Sequence, residues 1–255
     1  QQILASLPSV EELKKQHPKA VAVTVLDHNV TQVRADGSSR SYVHMIYKVL
    51  DEKGVEKYDS LPNAGETLLV RAILPDGTVT TPTGMQGAPF NIEGLVPGTV
   101  LEQRFAVSER GSAKGYAGDK FYFQDFDLNR NPNPVLLSRM VVLTPDGMKL
   151  SPRKRNYDGD PKVESRDGWT ATVWEKRDMP IVEPERNMPE RDEIFPHVDY
   201  SIPASYDDAP WQLFGSRSDS RGSPILDEAL AGIVRPGMSD LDKLRAIHEF
   251  VNREI

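Results

Sequence analysis

Histidines are the residues best suited to proton transfer or metal ligation, and this chain has five: His17, His28, His44, His197 and His248. None forms an H-x₃-H or H-E-x-x-H pair. Asp27 and His28 could offer two metal ligands, with His44 approaching from an adjacent strand. Neighbouring residues on a strand point to opposite faces, however, so Asp27 and His28 cannot easily share one ion. His248 lies beside the apolar face of a terminal helix and reads as a boundary residue.

Nucleophilic chemistry is narrower still. The chain has no cysteine, which removes disulfides, thiolate zinc sites and a cysteine nucleophile from this stretch. No Gly-x-Ser-x-Gly elbow occurs, and the Gly215-Ser216 and Gly222-Ser223 pairs sit in a loop of mixed Ser, Arg and Asp that reads as a connector. Two carboxylate pairs remain. Asp125 and Asp127 share a face if their strand continues, and Asp158 and Asp160 flank Gly159 in what reads as a plain turn. Glycosidase pairs come from distant positions in the chain, so neither pair assigns a reaction. No catalytic, cofactor-binding or metal-binding residue is therefore assigned.

Aromatic residues offer a binding surface instead. Tyr116, Phe121, Tyr122, Phe123 and Phe126 form the densest cluster, with Trp169 and Trp174 further on. Such residues chiefly fill cores, but Tyr116, Tyr122 and Trp169 are the candidates for an exposed stripe that would take a sugar ring or a peptide. Asn29-Val30-Thr31 matches a glycosylation triplet, which matters only on a eukaryotic secretory route.

The totals bound the class. The 255 residues are 38% hydrophobic and 27% charged, as in a globular protein, and the net charge of −7 argues against nucleic acid as a main partner. Arg153-Lys154-Arg155 is a short basic run and reads as a solvated loop. The longest apolar run, Ala20 to Leu26, is far below the ~20 residues of a membrane span. No signal peptide is evident at Gln1.

Short strands separated by turns must position these residues. Val10 to Gln16 predicts a helix that ends before Pro18. From Ala20 the period becomes two, and Ser41 to Leu50 places Val43, Met45, Tyr47 and Val49 on one face, so the two stretches predict a hairpin with Asp51 to Gly54 as the next turn. Thr67 to Leu74, Thr78 to Thr81, Thr99 to Val107, Lys120 to Phe126, Val135 to Leu143 and Trp169 to Trp174 follow as strands. Pro-Asp-Gly closes two of them, at residues 75–77 and 145–147. In Thr99 to Val107, Leu101, Phe105 and Val107 share a face that Gln103 interrupts. Between Met179 and Pro210 six prolines argue for an extended linker, part of it lying on a domain surface through Ile194, Phe195, Val198 and Tyr200. Two helices close the chain, Pro224 to Val234 and Ser239 to Ile255. Leu241, Leu244, Ile247, Val251 and Ile255 of the second share an apolar face with no stop signal after it. The expectation is a fragment cut before a reactive domain.

The order of these stretches resembles the bacterial β-sandwich domain of unknown function that precedes a transglutaminase-like domain. The likeness is carried by SYVHMIYKVL with its DEKG turn, by VRAILPDGTV, by VPGTVLEQRF, and by NPVLLSRMVVLTPDG followed by WTATVWEK. A proline-rich exit with Glu183, Glu185 and Pro189 comes next, then Asp208-Ala209-Pro210-Trp211 and the helix KLRAIHEFVNREI. The resemblance covers about Ala20 to Ile255. It implies a bacterial parent, periplasmic or extracellular, whose Cys, His and Asp lie beyond this chain. No catalytic residue carries over, and His248 precedes the place of the family's cysteine.

The expected fold is mainly β: an antiparallel two-sheet β-sandwich over residues 20–177, after an N-terminal helix and linker over 1–19. A proline-rich linker over 178–223 and the truncated start of a transglutaminase-like domain over 224–255 complete it. The expected role is a non-catalytic accessory module, without cofactor, that positions substrate or a partner for the rest of its parent chain. A cell-envelope polymer or protein is the external partner considered, and the alternative is a self-contained carbohydrate- or peptide-binding sandwich.

Overall fold

The computed structural model describes residues 7–35, 38–62, 65–82, 89–109, 122–127, 133–181, 186, 188–189, 191–202 and 224–254. The N-terminal helix α1 (Val10–Gln16) forms where predicted. Ser9 caps it: its hydroxyl accepts from the Glu12 amide, and the Glu12 carboxylate accepts from the Ser9 amide at 2.7 Å. Leu13 is the anchor, fully buried against Ala20, Val23 and Leu50.

Strands β1 (Ala22–Val33) and β2 (Ser39–Val49) form the predicted antiparallel hairpin. The stretch after β2 is not the simple turn its Asp-Glu-Lys-Gly composition suggests. It is a helix, α2 (Glu52–Tyr58), because the Asp51 side chain accepts from the Gly54 amide at 3.0 Å and caps it. Gly54 serves close approach here: a Cβ at this position would meet the Val21 carbonyl oxygen at 2.2 Å.

The remaining strands are β3 (Ser60–Leu61), β4 (Glu66–Ile73), β5 (Val79–Thr80), β6 (Phe90–Asn91), β7 (Val100–Glu109), β8 (Tyr122–Asp127), β9 (Val135–Pro145), β10 (Ser151–Arg155), β11 (Lys162–Arg166), β12 (Trp169–Met179) and β13 (His197–Ile202). Eight of them make one sheet in the order β11-β12-β9-β1-β2-β7-β4-β5. The chain is mainly β as expected, but two features depart from an antiparallel two-sheet sandwich. β1 and β9 pair in parallel. The other layer is two separate small sheets, β10-β13-β8 and β3-β6, rather than one matching sheet.

Both small sheets lie on one face of the large one. Direct cross-strand partners share a face, so Met140 and Val142 of β9, Thr31 and Val33 of β1, and Tyr47 and Val49 of β2 point the same way. Val198 and Tyr200 of β13 bury against Met140, Val142 and Trp174, and Tyr200 stacks on Trp174 with ring centroids 6.4 Å apart. Leu61, Ile92 and Tyr58 bury against Tyr47, Val49, Val70 and Leu101. Gln103, the polar interruption in β7, is buried on this face and donates to the Pro62 carbonyl at 2.7 Å.

Two basic and proline-rich segments take on structure that composition alone argues against. Arg153, Lys154 and Arg155 belong to β10, an edge strand paired with β13, and not to a loop. β13 is the central strand of its sheet although it lies in the proline-rich stretch. The six residues from His197 to Ile202 fit between Pro196 and Pro203, so no amide needed by the ladder is missing. The chain closes on a short helix α3 (Arg191–Ile194) before β13, and on helices α4 (Pro224–Ile233) and α5 (Asp240–Glu254). Ser239 caps α5: its hydroxyl accepts from the Asp242 amide. Leu241, Leu244 and Val251 of α5 are exposed.

Candidate functional site

The other face of the large sheet is capped at one end by α1, with Val10, Leu13 and Leu7 over Val23, Leu26 and Ile46. Beyond that cap the strands turn ionisable side chains outward in one row. Register places Arg104 opposite His44, His44 opposite His28, His28 opposite Arg139, and Arg139 opposite Glu175. The row thus crosses β7, β2, β1, β9 and β12. Glu102, two residues before Arg104, shares the face, and Arg71 of β4 stands opposite it.

Glu102 is the centre of charge at one end. It is fully buried, and its carboxylate accepts from Arg71 Nε at 2.7 Å, Arg104 Nε at 3.0 Å and His44 Nε2 at 2.9 Å. Burial works against its charge, but the hydrogen bonds from Arg71 and then Arg104 outweigh burial and hold the carboxyl below its usual range. Burial pushes His44 down, Arg104 adds to that, and Glu102 opposes it. Burial also pushes His28 down, with Arg139 and His44 adding and Glu175 opposing. Both imidazoles are therefore held toward the neutral form, and His28 Nε2 is buried with no hydrogen-bond partner among the described residues.

At the far end Arg139 Nε lies 3.9 Å from Glu175, and Arg177 Nε donates to Glu175 at 2.8 Å. Beside them opens a cavity of about 280 Å³ lined by Arg139, Tyr157, Asp160, Lys162, Glu164 and Glu175. Tyr157 forms its wall, held by its hydroxyl donating to the Glu175 carbonyl at 3.1 Å. Four arginines stand against two glutamates along the row, and the adjoining cavity adds Lys162 against Asp160 and Glu164, which leaves the band with a small positive excess in a chain of net charge −7.

The predicted residues fall differently. Asp27 and His28 do point to opposite faces: Asp27 pairs with Met45 on the covered side, and His28 pairs with His44. His44 does approach His28, but Arg104 and Arg139 flank the pair, which suits an anion better than a cation. Among the described residues, no group of three or more His, Asp or Glu is arranged to hold a metal ion. Trp169 is half-buried at the start of β12, on the open face by its pairing with Pro145. Tyr122 begins β8, with its side chain outside the described set, and Tyr116 lies outside the described residues altogether. Of the three aromatics, only the Trp169 side chain is therefore among the described residues.

Asp125 and Asp127 occupy β8 in register with Asp199 and His197. Around them the described contacts are structural. His197 Nε2 lies 2.6 Å from Asp199, and Arg155 donates to Asp199 at 3.0 Å. Burial opposes charge on Asp199, and His197 and then Arg155 overcome it, so its carboxyl is held low.

No family model matches the sequence, and no curated protein matches it. Solved structures do. The fold is similar to that of a candidate protease from Parabacteroides distasonis, with a TM-score of 0.68 at 15% identity over 92% of this chain and 50% of that one. This chain thus spans about half the length of that protein. Crystal structures of an M1 zinc metallopeptidase from Deinococcus radiodurans align over 71% of this chain and 42% of theirs at TM-scores of 0.38 and 0.35, too low to establish a common fold. Among the described residues, no helix is long and apolar enough to cross a membrane.

Sequence reasoning missed most of the row. Arg71, Glu102, Arg104, Arg139 and Glu175 are ordinary charged residues one by one. Their signal is positional: Glu102 and Arg104 occupy the alternate positions of a strand whose other face is Leu101, Gln103 and Phe105. Arg71 reaches Glu102 through the β4–β7 pairing and His44 through β2–β7, while Arg139 and Glu175 come from strands that the parallel β1–β9 pairing brings alongside.

Proposed function

We propose that this chain is a non-catalytic accessory module of a larger, protease-like protein, and that it positions a substrate or partner for a reactive domain elsewhere in that protein. The observation that carries this is the fold match, which takes in 92% of this chain but only half of the solved candidate protease. The sequence adds that any cysteine nucleophile must lie outside this stretch. The transglutaminase-like type of neighbour, and a periplasmic or extracellular setting, rest on the sequence resemblance alone.

Peptide-hydrolysis and amine-incorporation assays on this chain test the reading. The expected result is no turnover, and robust turnover would refute it. A self-contained binding module is the second reading, favoured by Trp169 on the open face. A glycan array separates it, since an accessory module of this kind should leave the array blank.

A further inference from the structure

We propose that the row Arg104–His44–His28–Arg139 binds an extended, acidic polypeptide segment lying across the strands. This names the partner class for the accessory module and rests on that reading.

Accessibility supports it first. The Arg104 and Arg139 side chains are 45% and 44% exposed, at the two ends of the row. Both guanidinium groups have unspent donors. Arg104 commits Nε and one Nη to Glu102, and its other Nη makes no hydrogen bond among the described residues. Arg139 makes no hydrogen bond there at all, only the 3.9 Å ion pair with Glu175. Guanidinium forks recognise carboxylates in two-point geometry, which a cation site would not use.

Spacing then selects the ligand's form. Neighbouring strands lie about 4.8 Å apart, so Arg104 on β7 and Arg139 on β9, three intervals apart, are separated by roughly 14 Å. In an extended peptide, same-side residues recur every ~6.8 Å, which puts the first and fifth side chains about 13.6 Å apart. Carboxylates at those two positions match the two arginines. The third falls over the His28–His44 pair at the middle of the row. An acidic side chain at every second position is therefore the fitting pattern. Charge supplies the complementarity: the row carries a positive excess, while the chain as a whole carries −7.

The test is fluorescence anisotropy with the whole chain and three labelled probes. One is a peptide alternating Glu and Thr, one has the same composition with its glutamates contiguous, and one is polygalacturonate. The alternating peptide should bind and should weaken as salt rises. Arg139→Glu should weaken it roughly tenfold, and Glu175→Gln, which removes the competing anion beside Arg139, should tighten it severalfold. Arg139→Gln serves if the charge reversal does not fold, and a severalfold loss is expected of it. No binding, or affinity indifferent to Arg139, overturns the proposal. Equal binding of the contiguous peptide or of polygalacturonate overturns the extended-polypeptide assignment. These outcomes stand apart from the turnover assays: a chain that is silent in turnover and binds no peptide loses this partner class and keeps the accessory-module reading.

Discussion

The two faces of the large sheet use the same strands for opposite ends. On the covered face, Trp174, Met140, Val142 and Tyr200 exclude water, and polar groups such as Gln103 survive there by hydrogen-bonding to backbone. On the open face, α1 seals only one end, and the strands beyond it carry a row of charge whose deepest member, Glu102, is as buried as Trp174. Alternation alone produces this division. What differs is the partner each side chain was given: a second layer of apolar residues on one face, and arginines from neighbouring strands on the other.

Trp174→Ala would test the covered face with the largest effect. The ring is fully buried and stacked on Tyr200, so its removal should cost about 3–5 kcal/mol, and the melting temperature should drop by roughly 10 °C. A loss below about 1 kcal/mol by urea denaturation would mean that the small sheet is not holding that face.

The open face should respond asymmetrically. Arg71→Met leaves the buried Glu102 carboxylate one cation short and should cost about 3 kcal/mol. Glu102→Gln leaves arginines that still reach water, so about 1–2 kcal/mol is expected. Equal losses for the two would show that Glu102 is better solvated than its burial indicates.

Acid sharpens the same contrast, because the two imidazoles held low among the described residues, His28 and His44, both belong to the open face. His28 faces Arg139, His44 and Glu175, and His44 faces Arg104 and Glu102. Both histidines have folded values below the ordinary 6.5. The unfolded chain therefore takes up their protons first, and stability should fall as pH drops from above 6.5 toward those folded values. Glu102 and Asp199, also held low, add a further loss only below their ordinary 4.5 and 3.8. Urea midpoints across this range, compared with those of His28→Gln, check it. A wild type whose midpoint rises on acidification to pH 6 would contradict the sign.

What the sequence made legible was local. The span of α1, the hairpin of β1 and β2, and the strand faces of β2 and β7 follow from the stop at Pro18 and from period-two alternation. β11 lay outside the predicted strands although a signal was present: Asp167 and Gly168 both have positive φ in a two-residue turn, and Asp-Gly between Lys162–Arg166 and Trp169 marks a hairpin. α2 was obscured because Gly54 mimics a turn residue while serving a close approach to Val21. β13 was obscured because its six proline-free residues sit inside a proline-dense stretch. The charged row was invisible for another reason. Its members come from five strands, one of them joined by a parallel pairing that no local pattern encodes.

The smallest expected effect lies at the terminal helices, and it sets the scale for both faces. Leu13 of α1 and Leu244 of α5 each occupy the apolar side of an amphipathic helix, yet Leu13 is fully buried and Leu244 is 67% exposed. Leu13→Ala should cost about 3 kcal/mol through the cavity left against Val23 and Leu50. Leu244→Ser should cost no more than about 0.5 kcal/mol, most of it helix propensity. Chemical denaturation of the two variants side by side decides the point. If Leu244→Ser approached the loss of Leu13→Ala, its face would be covered in solution, and α5 would belong with the sealed side of the molecule rather than the open one.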